Sequence, residues 1–507
     1  MLENHSFDNM FAMSDIPGIT VANTGDYNSY NGQNYHVQNS APLSMPSDPG
    51  HEFPDVVEQL AGEGAAFKSG QPYPTINNSG FAANYATSTT EGPVPPAEDI
   101  GDIMACFSTQ SQLPVAYNLA TQFAICDHWY SSMPGPTWPN RFFVHGASSS
   151  GLDHSPSTTQ ILEWESGVPS GFEYPNGSIY QALGNADIPY RFYNDCNTTP
   201  GLSYGLSMFS DDPQNGSPSG AVPQVSSLHG VTITDINSLE HFPSDLQGPY
   251  PYTYTFIEPH YGDVVGNTYV GGSSQHPMDD VAGGENLVQY VYEAIRSSPY
   301  WNTSLLIILY DEHGGFYDSV GPGGAIAPGD NPDYGYNEYG FTFQQYGVRV
   351  PAIVVSPLIP QGTVSTSVYD HASVLATLEN LYGLKALTDR DAAANNLTGL
   401  LTSQQPRTDC PTKLTAHPRR RKPRRPLSAE EQAIIDQQPI PERGNLPGVL
   451  SIMLKTEIEL SSRNPTIVAG MIAKVKALKT RGEARAYIDS VMQKVRAVRE
   501  ARAAAKQ

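Results

Sequence analysis

Cations are scarce over most of this chain, and so are cysteines. Of 28 Lys and Arg residues, 21 lie at or beyond residue 401, so the first 400 residues hold 7 cations against 41 Asp and Glu. Such a body repels a phosphate backbone, which excludes nucleic acid as a partner of the main domain. If it handles phosphate, most of the positive charge must come from a metal ion. The four cysteines, Cys106, Cys126, Cys196 and Cys410, show no CxxC spacing. That excludes a zinc ribbon and a thioredoxin-like redox motif and leaves room for one or two disulfides. The chain has no apolar run of the roughly 18 residues a membrane span needs. It also lacks a recognisable signal peptide and any internal repeat.

What is present is loop-rich. With 45 Gly and 43 Pro in 507 residues, and sequons at Asn77, Asn176, Asn197, Asn215, Asn302 and Asn396, the composition suits an exported protein. Residues 17–100, as in GDYNSYNGQNYHVQN, read as long loops over a scaffold. From residue 113, LPVAYNLATQFAICDHW predicts a helix running into a strand that ends at Asp127. Short apolar runs at 252–258 (YTYTFIE), 304–312 (SLLIILYDE) and 349–357 (RVPAIVVSP) read as buried strands. ENLVQYVYEAIRS and SVLATLENLYG, the latter ending on Gly383, read as helices between and after them. Strand and helix alternating in this way predict an α/β fold with a largely parallel sheet, whose ligands sit beyond the carboxyl ends of its strands. HPRRRKPRRP, residues 417–426, is a Pro-broken basic run that reads as a linker. Beyond it, Asn464 and Pro465 cap one helix pattern and a second follows Gly482, a helical hairpin.

Three stretches could carry chemistry. LLIILYDEHGGFYD delivers Asp311 and Glu312 to a strand end, where two adjacent carboxylates repel unless a cation lies between them. SSMPGPTWPNRFF holds Thr137 between prolines at a helix start, a place that favours anions. ENHSFDNMF crowds Glu3, Asn4, His5, Ser6 and Asp8 into the chain's first eight residues, although chain ends seldom carry chemistry.

Taken in order, ENHSFDNMF, LPVAYNLATQFAICDHWYSSMPGPTWPNRF, YTFIEPHYGD, SSQHPMDDVAGGENLV, LIILYDEHGGFYDSV, YGVRVPAIVVSP and YDHASVLATLENLYG resemble the phosphoesterase family of nonspecific phospholipase C and related acid phosphatases, over roughly residues 3–410. The resemblance implies an alkaline-phosphatase-like three-layer α/β sandwich. It implies three regions: a catalytic domain at 1–405, a Pro/Arg-rich linker at 406–427 and a helical tail at 428–507. Glu3, Asn4, Thr137, Asp311 and Glu312 match the family's metal-binding positions, and Thr137 its nucleophile. An all-oxygen set suits Mg²⁺, Ca²⁺ or Mn²⁺, with Zn²⁺ also open. Hydrolysis of a phosphate ester through a phosphothreonine intermediate is expected, either of a phospholipid diester as in a phospholipase C or of a monoester as in an acid phosphatase. His276 is expected to contact phosphate or protonate the leaving group, with His51 as a second histidine of the site. Arg141 is expected to brace the nucleophile loop, and His371 either to make a structural hydrogen bond to Asp370 or its neighbours or to act in the site. His5 stands where the family often has Arg. The alternative is a non-catalytic phosphate-binding protein on the same fold. In this superfamily a buried strand precedes the first motif, so the natural chain is expected to begin upstream, with a signal peptide for secretion.

Overall fold

The apolar runs pair into two sheets, and the ends of those strands hold the acidic motifs. The computed structural model describes residues 1–166, 170–195, 224–330, 334–415, 417, 428–462 and 464–504. In the larger sheet, Ala352–Val355 lies antiparallel between Ala124–Trp129 and Leu306–Leu309, and Thr363–Tyr369 pairs parallel with the outer side of Ala124–Trp129. The second sheet is wholly parallel, with Tyr190–Asn194 between Ile236–Ser238 and Tyr254–Glu258. Helices cover the sheets in pairs, Pro114–Gln122 with Ala282–Arg296 and Thr137–Gly146 with Ala372–Tyr382. This is the α/β sandwich expected from the sequence, except that Ala352–Val355 runs against both neighbours.

Met1 and Leu2 join the two sheets. The Met1 amine donates to the Ile257 carbonyl at 3.3 Å, the Leu2 N–H donates to Leu309 O at 2.7 Å, and Leu2 O accepts from the Asp311 N–H at 3.1 Å. Beside them the facing edges of Tyr254–Glu258 and Leu306–Leu309 border an apolar groove of about 540 Å³, lined among others by Phe256, Leu287, Val291 and Ile308.

Several local readings need correction. The 17–100 region contains a hairpin, Tyr27–Tyr30 with Gln33–His36. It turns on Asn31 and Gly32, both at positive φ, the conformation that a tight Asn-Gly hairpin turn requires. Helices Phe53–Ala61 and Phe81–Thr87 also lie there. Cys106, Cys126 and Cys410 are buried free thiols; Cys196, like Asn197, Asn215 and linker residues 418–427, lies outside the described residues. No described helix is long and apolar enough to cross a membrane.

Among the described residues the C-terminal helical segment holds four helices rather than two: Ala429–Gln437, Asn445–Glu459, Pro465–Ala477 and Arg481–Ala504. Asn464 caps the third through the Thr466 N–H, as expected. The second is buried at every residue from Leu446 to Ile458 and packs on Thr158–Ser166 and Gln224–Ser227. One apolar core runs from Leu2 through both sheets to Met453 and Val491.

Candidate active site

Thr137 is the first residue of a ten-residue helix that is buried throughout, after Pro136 in extended backbone. Asn140 shapes the approach to it. Its Oδ1 accepts from the Met133 N–H at 3.0 Å, and its Nδ2 donates to the carbonyls of Met133, Gly135 and Pro136 at 2.9–3.2 Å. The proline-rich loop is thereby laced to its own helix, so the threonine hydroxyl has one position rather than many.

That position meets the chain's first motif. Asn4 Nδ2 donates to Thr137 Oγ1 at 3.1 Å. The DEHGG turn closes on the same asparagine: Gly314 has φ +61, and a Cβ there would lie 2.3 Å from the Asn4 carbonyl, so only glycine fits. Ser6 caps the helix Phe7–Phe11, which fixes the direction in which Glu3 and Asn4 enter. Residues 3–4, 137 and 311–312 therefore converge from three distant parts of the sequence.

The electrostatics there are unusual. Glu3, Asp311 and Glu312 have no exposed surface. Both Glu3 carboxylate oxygens, Glu312 Oε1 and Asn4 Oδ1 are buried without a hydrogen-bond partner. Burial holds the Glu3 carboxyl well above its ordinary range, with Arg141 opposing and Asp311, Glu312 and Glu258 adding to the rise. Burial also pushes Asp311 up to about 7, against Arg141 and with Glu312. A buried carboxylate oxygen without a donor costs free energy, and a hard cation is the group that such oxygens suit. Among the described residues no three His, Cys, Asp or Glu side chains form a ready-made metal cluster. The converging set includes an amide and a hydroxyl, and one Asp311 oxygen is drawn aside by Arg141.

Arg141 does more than brace a loop. Its Nε donates to Asp311 Oδ2 at 2.8 Å and its Nη1 to Glu258 Oε2 at 3.0 Å, with the guanidinium 5.3 Å from the Tyr261 ring centroid and Tyr261 donating to Glu258. Glu258 was not singled out from the sequence, although it ends the run YTYTFIE as Asp311 and Glu312 end theirs; the rule about strand carboxyl ends could have found it. His371 bonds not Asp370 but the Asp311 carbonyl, at 2.6 Å, and takes the Trp129 indole N–H at 3.3 Å.

The histidines are pushed in opposite directions. His276 lies flat on Tyr269, centroids 3.4 Å apart, with Nε2 3.7 Å from Asp48. Burial, then His51 and His5, hold its pKa well below the ordinary value. Burial also pushes His51 down, but Glu91, Glu312, Asp48 and Glu52 outweigh it and hold the ring well above its usual range. His51 Nε2 is 3.6 Å from Glu91, and its Nδ1 bonds the Pro49 carbonyl. His5 bonds Asn9 at 2.8 Å and stacks on Phe316; burial lowers its pKa to about 4.

A family model described as the phosphoesterase family matches residues 1–385. Non-specific phospholipase C3 of Arabidopsis thaliana is 33% identical over 442 residues, 83% of this chain and 75% of that protein. Non-specific phospholipase C5 of the same plant is 32% identical over 434 residues, 82% and 75% of the two chains. Non-hemolytic phospholipase C of Pseudomonas aeruginosa is 25% identical over 299 residues, 54% and 40%. Among solved structures, the phosphonate monoester hydrolase of Agrobacterium radiobacter aligns at a TM-score of 0.31 with 12% identity, over 59% of this chain and 74% of that one. Family model and relatives together establish that this chain belongs to the phosphoesterase family and is a hydrolase of phosphate esters.

Proposed function

We propose that the enzyme cleaves phosphodiesters in the manner of a phospholipase C, with Thr137 as nucleophile. The observation that carries this is the Thr137 hydroxyl, held by Asn4 at 3.1 Å among buried carboxylates without donors. Similarity to proteins called non-specific phospholipases C supports the diester over the monoester. Glu3, Asn4, Thr137, Asp311 and Glu312 would hold a hard divalent cation (Mg²⁺, Ca²⁺ or Mn²⁺), and their partnerless oxygens fit one. Bound there, it would lower the pKa of a hydroxyl and balance negative charge, which this cation-poor body cannot do alone.

Thr137 Oγ1 gives its proton to solvent water and attacks phosphorus in line, the P–O bond to the leaving oxygen breaks, and that oxygen takes a proton from water to leave as the alcohol. The helix N-terminus at Thr137 favours the anion. Neutral His276 donates a hydrogen bond to the departing oxygen, and positively charged His51 steadies the phosphoryl group. Water then cleaves the phosphothreonine, returning Thr137 and releasing the phosphorylated head group.

The test is hydrolysis of p-nitrophenyl phosphorylcholine and p-nitrophenyl phosphate by the full chain, after EDTA and after adding back Mg²⁺, Ca²⁺, Mn²⁺ or Zn²⁺. Metal-restored turnover of the choline ester supports the reading. Turnover of the monoester alone makes the enzyme a phosphatase. No turnover of either by folded protein with metal overturns the proposal.

A further inference from the structure

The C-terminal helices reach the nucleophile segment through one side chain. Asn445, the first residue of the buried helix Asn445–Glu459, accepts the Trp138 indole N–H on Oδ1 at 2.9 Å and donates from Nδ2 to the Tyr269 hydroxyl at 3.0 Å. Trp138 follows Thr137 directly, and Tyr269 is the ring on which His276 lies. A single amide therefore spans the nucleophile side and the histidine side of the site. A second contact presses the same helix onto the same indole: a Cβ at Gly448 would lie 1.9 Å from Trp138 Cζ2, so the helix backbone itself abuts the ring.

We propose that Asn445 is a positioning residue for phosphoester cleavage, setting Thr137 through Trp138 and His276 through Tyr269. The proposal rests on the function given above. Its physical basis is geometric. Trp138 is 2% exposed, and a bulky ring with its one donor satisfied in one direction cannot rotate without losing that bond. Tyr269 has its hydroxyl fixed at one edge and His276 across its face, so movement of that hydroxyl tilts the imidazole. The amide has one oxygen acceptor and one NH₂ donor, and both are used here.

The chemistry specifies which replacement should work. Aspartate at 445 keeps an oxygen for the indole N–H, and the Tyr269 hydroxyl, a donor as well as an acceptor, can turn to bond the second oxygen. A negative charge is also favourable in the first turn of a helix. Alanine keeps the helix and breaks both bonds.

The experiment compares wild type, Asn445→Ala and Asn445→Asp in the full chain. It reads kcat and KM on p-nitrophenyl phosphorylcholine, thermal melting, and the NMR resonances of the Trp138 indole N–H and the His276 ring. Expected are a fall in kcat of about tenfold or more in Asn445→Ala with KM within about twofold, near-wild-type kcat in Asn445→Asp, and shifts of both resonances in Asn445→Ala only. Wild-type kcat in a folded Asn445→Ala overturns the proposal and leaves the hydrolase reading standing. If wild type itself turns nothing over, the diesterase reading fails, and unmoved Trp138 and His276 resonances in Asn445→Ala overturn the bridge separately. Should Asn445→Ala not fold, Trp138→Phe, which deletes the indole donor and keeps an aromatic ring, takes its place with the same expected loss of kcat.

Discussion

Two clusters of buried carboxylates lie in this molecule, and they are neutralised differently. Around Arg349, Asp8 Oδ1 takes the Ala22 N–H and Arg349 Nη2, and its Oδ2 takes Ser319 N and Oγ. Asp318 takes Arg349 Nε at 3.0 Å and the Val320 and Asp8 N–H groups. Asp127 Oδ1 takes the Thr20 N–H and faces Arg349 Nη1 at 3.4 Å. The cation is built in. In the other cluster, Glu3 has neither oxygen bonded and Glu312 and Asn4 each leave one bare. The difference lies in how far each charge is answered: around Arg349 every carboxylate has at least one donor and only Asp127 Oδ2 lacks one, whereas Glu3 has no donor on either oxygen.

Breaking the first cluster should cost the most. Arg349→Leu leaves Asp8, Asp127 and Asp318 buried without their cation, and a loss of about 3–5 kcal/mol is expected, read as a large fall in the denaturation midpoint. The second cluster should answer with the opposite sign. Without metal, Glu3→Gln removes a carboxyl whose charged form burial disfavours and no donor answers, so melting temperature should hold or rise by a few degrees while turnover collapses. Saturating Mg²⁺ or Ca²⁺ should raise the wild-type melting temperature and leave that of Glu3→Gln unmoved; equal responses would erase the contrast between the clusters.

Gly448→Ala probes where the tail meets the site. A methyl 1.9 Å from the indole should cost about 1–3 kcal/mol by overpacking, with turnover falling alongside, as differential scanning calorimetry and kinetics on one sample would show. A third way to bury carboxylates predicts the smallest effect. Burial and then the neighbouring Asp391 push Glu379 up to about 9, so the folded state keeps a proton that the unfolded chain has lost. Stability from this group is full below about pH 4.5 and falls as pH rises toward 9. Glu379→Gln should flatten that part of the melting profile, and an unchanged slope would count against the shared proton.

Much of this was legible in the sequence where the signal is local. The runs at 252–258, 304–312 and 349–357 contain the strands Tyr254–Glu258, Leu306–Leu309 and Ala352–Val355. Gly383 takes the left-handed conformation that ends its helix. Other features are not local. Arg349 finds Asp8 from 341 residues away, and no spacing rule reports such a pairing. The helix Asn445–Glu459 was invisible because burial on all sides erases the amphipathic stripe by which helices are read. The Asn31–Gly32 hairpin escaped because its strands are polar and offer no alternation. Ordered motifs shared with a family pointed to Glu3, Asn4, Thr137, Asp311 and Glu312, which the fold brings together, but not to Glu258 or Asn445.

The bond between Trp138 and Asn445 spans 307 residues, and that span has a meaning in time. At a synthesis rate of about 5–20 residues per second, the indole waits roughly 15–60 s after leaving the ribosome before its partner exists. During that interval the indole beside Thr137 packs on Phe142 but lacks the helix Asn445–Glu459 that covers it in the finished fold. Thr137, the proposed nucleophile, is among the earlier parts of the site to be made and the last to be locked in place.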